Sequence, residues 1–167
     1  TEKMSAKTKV KLMPLFLPAA SFLVVVGGLI FYLLSAVNKT DAGISLQHRD
    51  GAVVDLGKTI YAENCASCHG VALEGQANWR QRDADGYLPA PPHDETGHTW
   101  HHPDQELFSY TKFGGAALVP PGFKSAMPGF KDTLRDHDIW AVLSFITSRW
   151  PELERQHQIR INKRSKN

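Results

Sequence analysis

The sequence predicts an all-α fold: a single helical domain over residues 53–151 that follows one N-terminal membrane-spanning helix. Three observations carry this. No charged residue occurs over the 26 positions from 12 to 37. Ile139, Val142, Leu143 and Ile146 recur at i, i+3, i+4 and i+7, the apolar stripe of an amphipathic helix. The sequence flanking the two cysteines lacks the alternation of polar and apolar residues that strands require. With 42% hydrophobic and 22% charged residues, the 167-residue chain has room for one compact domain and a little more. It contains no repeat and no low-complexity tract.

The first element is residues 1–37, a short N-terminus and an anchor. The uncharged run reads "LMPLFLPAASFLVVVGGLIFYLLSAV". At about 1.5 Å rise per residue, the part from Leu15 onward exceeds the roughly 30 Å of a hydrocarbon core. The apolar part of a secretory signal is only about 7–15 residues long, so this segment is expected to persist as an anchor. Small-residue sites at Ser35-Ala36-Val37 and Thr40-Asp41-Ala42 are the places where cleavage would otherwise occur. Lys3, Lys7, Lys9 and Lys11 precede the run and only Lys39 follows closely, which places the N-terminus in the cytoplasm. The expected topology is single-pass in a bacterial inner membrane, with everything after Val37 periplasmic. Pro14 and Pro18 fall near the start of the span, and Gly27-Gly28 offers a mid-span site of close approach for a partner transmembrane helix.

Residues 38–52, "NKTDAGISLQHRDGA", read as a polar linker that reaches roughly 50 Å when fully extended. Charge divides along the same lines. The chain carries +2 overall, made of +3 over residues 1–38, +3 over residues 152–167 and −4 over the body between them. That body has no basic patch and no platform of interleaved arginines and aromatics, which excludes nucleic acid as a partner. Residues 152–167 read as a basic C-terminal tail, solvated or touching acidic lipid or an acidic surface.

Chemistry concentrates in "ENCASCHG", which holds both cysteines of the chain, Cys65 and Cys68, with His69 directly behind. A dithiol oxidoreductase needs a strand before Cys-x-x-Cys and a βαβ context, and neither is present. A structural zinc site needs four ligands; no other cysteine exists, His93, His98, His101 and His102 could supply the missing ones, and the adjacent Cys68 and His69 point in different directions. Covalent haem attachment explains every residue. Two thiols three positions apart lie on one face of a helical turn and can each form a thioether with a porphyrin vinyl group, while the next residue aims an imidazole at the iron.

One haem c is therefore the expected cofactor, with His69 as one metal ligand. Of the three methionines, Met4 and Met13 belong to the N-terminal segment, so Met127 in "KSAMPGF" is the expected second ligand. Pro128 restricts the residue before it to extended backbone and so helps to aim the thioether. The histidines of "PPHDETGHTWHHPD" are the rival ligands.

At this point the chain resembles class I c-type cytochromes, over about residues 53–150. "GKTIYAENCASCHG" resembles the first helix of that family, "SAMPGF" its methionine loop and "TLRDHDIWAVLSFITSRWP" its C-terminal helix. The resemblance implies that the first and last helices cross at Gly57 and Phe145, with Tyr61 and Trp140 packing nearby. It also implies a proline carbonyl that accepts the N–H of the ligating histidine, for which Pro89, Pro91 and Pro92 are candidates, Pro91 and Pro92 foremost. Trp79, Arg80, Trp100 and His101 are candidate donors to the haem propionates.

Independently of the resemblance, Thr133 and Asp136 suggest the start of the last helix and Pro151 its end, and "DQELFSYTKFGG" reads as a shorter helix closed by Gly114 and Gly115. Residues 74–104 form a longer connection than a minimal domain of this class needs, similar to an insert in some membrane-associated bacterial members.

An iron closed on both faces has no position for substrate, so the expectation is an electron carrier and not an enzyme. Tethering favours traffic between membrane complexes: quinol–cytochrome c reductase and a terminal oxidase or photosynthetic reaction centre, or service as a haem subunit in such an assembly. A gas-binding or peroxidase-like protein with a labile Met127 is the alternative, and a dithiol oxidoreductase the third.

Overall fold

The computed structural model describes residues 26–28 and 45–166. Residues 26–28 are helical, and the rest of the expected anchor and part of the linker lie outside the described residues. Among the described residues no helix is long and apolar enough to cross a membrane. Their regular structure is helical, with no strand among them beyond one isolated bridge between Tyr87 and Lys124.

Helix α1 spans Gly51–Asn64 and starts inside the stretch read as linker. Asp50 sets the boundary: its carboxylate accepts from the backbone N–H groups of Ala52 (3.0 Å) and Val53 (3.3 Å), satisfying two donors that have no partner within the helix. The residues just before it also belong to the domain, since the Gln47 N–H donates to Ser144 Oγ at 2.9 Å. After Cys65 comes a single turn, α2 (Ala66–His69). A long connection then leads through a 3₁₀ turn at Thr99–His101 to α3 (Asp104–Phe113), which Gly114 ends as expected.

Helix α4 (Asp136–Arg149) is the centre of the molecule. Its start lies at Arg135 and not at Thr133: the Asp138 carboxylate accepts both the Arg135 backbone N–H and the guanidinium, whereas the Thr133 hydroxyl turns back to the Phe130 carbonyl. The expected stripe is present and deeply buried, but burial runs unbroken from Asp138 to Thr147. The reason is that α4 has neighbours on two sides. Val142, Phe145 and Ile146 pack with Ile60 and Tyr61 of α1, while Ile139, Trp140 and Leu143 pack with Phe108 of α3. Trp140 therefore stacks on Phe108, at 4.8 Å between ring centres, in a different cluster from Tyr61. Each buried Ile or Leu contributes roughly 1.5–3 kcal/mol.

The crossing of α1 and α4 depends on Gly57. A Cβ there would sit 1.9 Å from the Ala141 carbonyl oxygen and 3.0 Å from Phe145 Cβ, so only glycine lets the backbones meet.

The chain does not end in a solvated tail. Residues Glu152–Arg164 form α5, which packs against the 3₁₀ turn. Gln158 is 2% exposed and donates to the His102 carbonyl, and Asn162 bonds twice to Asp104, through its amide N–H (2.7 Å) and through its carbonyl to the Asp104 backbone N–H (2.8 Å).

Candidate functional site

The α1–α4 crossing presents the Cys-x-x-Cys-His turn. The Cys65 and His69 backbone N–H groups continue the hydrogen-bond ladder of α1, the first to Tyr61 O and the second to Cys65 O, both at 2.9 Å. The Tyr61 hydroxyl, nearly fully buried, donates to the Gly70 carbonyl at 2.8 Å and fixes the exit. Both thiols are free, Cys65 partly buried and Cys68 exposed. Burial, and next the neighbouring Cys68, push the Cys65 thiol up to about 11. That is the opposite of the activated thiolate a dithiol oxidoreductase requires.

His69 is 7% exposed and its ring is held at one edge: Nδ1 lies 2.9 Å from the Pro91 carbonyl oxygen. The carbonyl can only accept, so Nδ1 carries the proton and Nε2 keeps its lone pair for a metal. Burial lowers the His69 pKa, against a smaller opposite effect of the Pro91 bond, which keeps the ring neutral as a ligand must be. Of the candidate prolines it is Pro91 that meets the ring; the buried Pro92 carbonyl faces the Thr99 hydroxyl at 3.5 Å. The connection reaches this position because Gly75, at φ +67, donates to the His69 carbonyl at 2.8 Å and lies so close to Pro91 and Pro92 that a Cβ would fall 2.4 Å from the Pro92 nitrogen.

His93 is one of the rival iron ligands the sequence offers. Its ring stacks face to face on His69, with centres 4.0 Å apart and planes inclined by 21°. Two imidazoles on opposite sides of one metal meet end to end, so this arrangement excludes His93 as a ligand opposite His69. Its own Nδ1 is engaged with Thr99 Oγ1 at 2.8 Å.

Met127 is half-buried in a loop strapped to the end of α3: its carbonyl accepts from the Gly115 N–H (3.1 Å), and the Phe130 and Lys131 N–H groups donate to Thr111 and Lys112. The remaining candidates make contacts of their own. The Trp79 ring stacks on His98 and carries the Arg80 guanidinium 3.8 Å from its centre. The Trp100 indole N–H, expected at a propionate, donates instead to the Glu95 carbonyl, and its ring stacks on His101. His102 bonds Glu106 at 2.9 Å.

The sequence offers His93 only as a rival ligand, with no signal that separates it from the neighbouring histidines; the fold alone brings it against the His69 ring. Among the described residues no group of three or more His, Cys, Asp or Glu is placed to hold a metal ion directly, so zinc finds no ligand set there. Two thiols on one turn followed by a neutral imidazole with a free Nε2 is the donor set that haem c requires.

The family model described as Cytochrome c matches residues 54–150, more than half of the chain. No curated protein and no solved structure shows significant similarity to it.

Proposed function

The chain belongs to the cytochrome c family and binds haem c through Cys65 and Cys68, and from that premise we propose that it is a membrane-tethered carrier of single electrons. The observation that carries the reading is the His69 ring, neutral and anchored to the Pro91 carbonyl with Nε2 free. When bound, the haem supplies a one-electron couple. The chain does the rest. His69 would ligate the iron through Nε2, and the Pro91 hydrogen bond fixes its tautomer and would raise its donor strength. Met127, held in the loop strapped to the end of α3, would supply the second ligand, and iron so held would offer no place for a substrate.

The 26-residue uncharged run after four lysines supports a single-pass anchor in a bacterial inner membrane, with the haem domain in the periplasm and Gly27-Gly28 available to a partner helix. A tether raises the effective concentration of the domain near other membrane complexes. This favours exchange between quinol–cytochrome c reductase and a terminal oxidase or photosynthetic reaction centre, as a mobile carrier or as a subunit.

The test is the absorption spectrum of the reduced holoprotein with and without carbon monoxide. A carrier with both axial positions filled gives a spectrum that carbon monoxide leaves unchanged on mixing. Rapid formation of a carbon monoxide complex would replace this reading with a gas-binding or peroxidase-like one.

A further inference from the structure

We propose that His93 is a positioning residue for His69, holding the face of the ligand ring while the Pro91 carbonyl holds its edge; this rests on the reading of His69 as an iron ligand. A hydrogen bond at Nδ1 fixes where that edge points but leaves the ring free to pivot about the N···O line. A second ring against its face removes that freedom. The His93 ring meets this requirement, stacked on His69 at 4.0 Å and 21°.

A face contact restrains only if the contacting ring is itself fixed, and His93 is held at three points. Its Nδ1 is 2.8 Å from Thr99 Oγ1, its backbone N–H donates to the Leu73 carbonyl at 2.8 Å, and its carbonyl accepts the Trp150 indole N–H at 2.7 Å. Leu73 and Trp150 are 2% and 1% exposed, so these anchors lie in the core. The buried Tyr61 ring stands steeply inclined to His93, with 6.5 Å between centres and 72° between planes. The orientation of the ligand ring is thereby tied to the end of α4 through Trp150. Groups that orient a ligand from behind tune the metal without touching it.

The orientation of an axial imidazole plane governs how unpaired spin spreads over the four porphyrin methyl groups in an oxidised low-spin haem, and it contributes to the midpoint potential. The test compares the full-length holoprotein with His93→Ala, Thr99→Val and His93→Phe. The readouts are the hyperfine-shifted haem methyl proton resonances and the midpoint potential. His93→Ala is expected to keep haem and low-spin iron but change the methyl pattern and shift the potential. Thr99→Val, which loosens only the anchor, shifts both the same way and less. His93→Phe restores a flat face and returns the pattern toward the parent.

A parental methyl pattern and potential in His93→Ala would overturn the proposal. If that variant fails to mature, the same parental result in Thr99→Val would overturn it. Failure of the underlying reading is distinguishable: the parent protein itself would then lack the resonances of a ligated imidazole.

Discussion

A methyl group added at Gly57 would collide with backbone, the Ala141 carbonyl, and not with the end of a side chain that can swing away. Gly57→Ala must therefore push α1 and α4 apart, and the expected cost is about 1–3 kcal/mol or more, measured by denaturant unfolding of the holoprotein. At the haem motif the covalent chemistry makes a separate prediction. Cys65→Ser and Cys68→Ser should each leave one thioether link and the double variant none, read as the mass of the chain after acid–acetone extraction. Retention of covalent haem in the double variant would contradict the assignment. At this scale the sequence was legible wherever chemistry follows from local spacing, as in Cys65, Cys68 and His69, or from a family pattern, as in Gly57 and a proline behind His69. It offered His93 as a rival ligand and not as a partner of the His69 ring, because a face-to-face stack across 24 positions is created by the path of the connection through Gly75 and Pro91, not by any neighbouring residue.

The helices teach a different lesson. The stripe of α4 was readable from its period, but its all-round burial was not, because that depends on α1 and α3 both packing against it. Residues 152–167, which contain helix α5, read from sequence as a tail because their five cations are spread and form no dense cluster. A signal was available: Glu152 and Glu154 stand in its first turn and Lys163 and Arg164 in its last, directly after Pro151, which is the charge order the helix dipole favours. Its docking also solves a problem for α3, whose N-terminal flank, Pro103, has no side chain able to cap it. Asn162 supplies the missing cap from the other helix. Asn162→Ala should therefore lower stability by about 1–2 kcal/mol and speed hydrogen exchange at the first amides of α3, whereas a change confined to α5 would show that the two helices are not coupled.

For the whole domain, partly desolvated surface histidines contribute to the pH response. His48, His98 and His101 all lie below the usual 6.5, through loss of solvent first and next a neighbouring basic side chain: Arg49 for His48, His102 for His98 and His157 for His101. Unfolding returns them to about 6.5, so below that value the unfolded chain binds more protons than the folded one. Stability should be level from pH 8 to 7 and fall as pH drops from about 6.5 toward 5, followed as the melting temperature of the holoprotein. A melting temperature that rises over that interval would reverse the sign and contradict the burial argument.

The claim on which the functional account stands is that His69 and Met127 close the iron from opposite sides. The most direct measurement is the optical spectrum of the oxidised holoprotein beside that of Met127→Ala. The account requires a low-spin haem c spectrum with the methionine–iron charge-transfer band in the parent and loss of that band in the variant. A parent without the band, or a variant that keeps it, would contradict the claim.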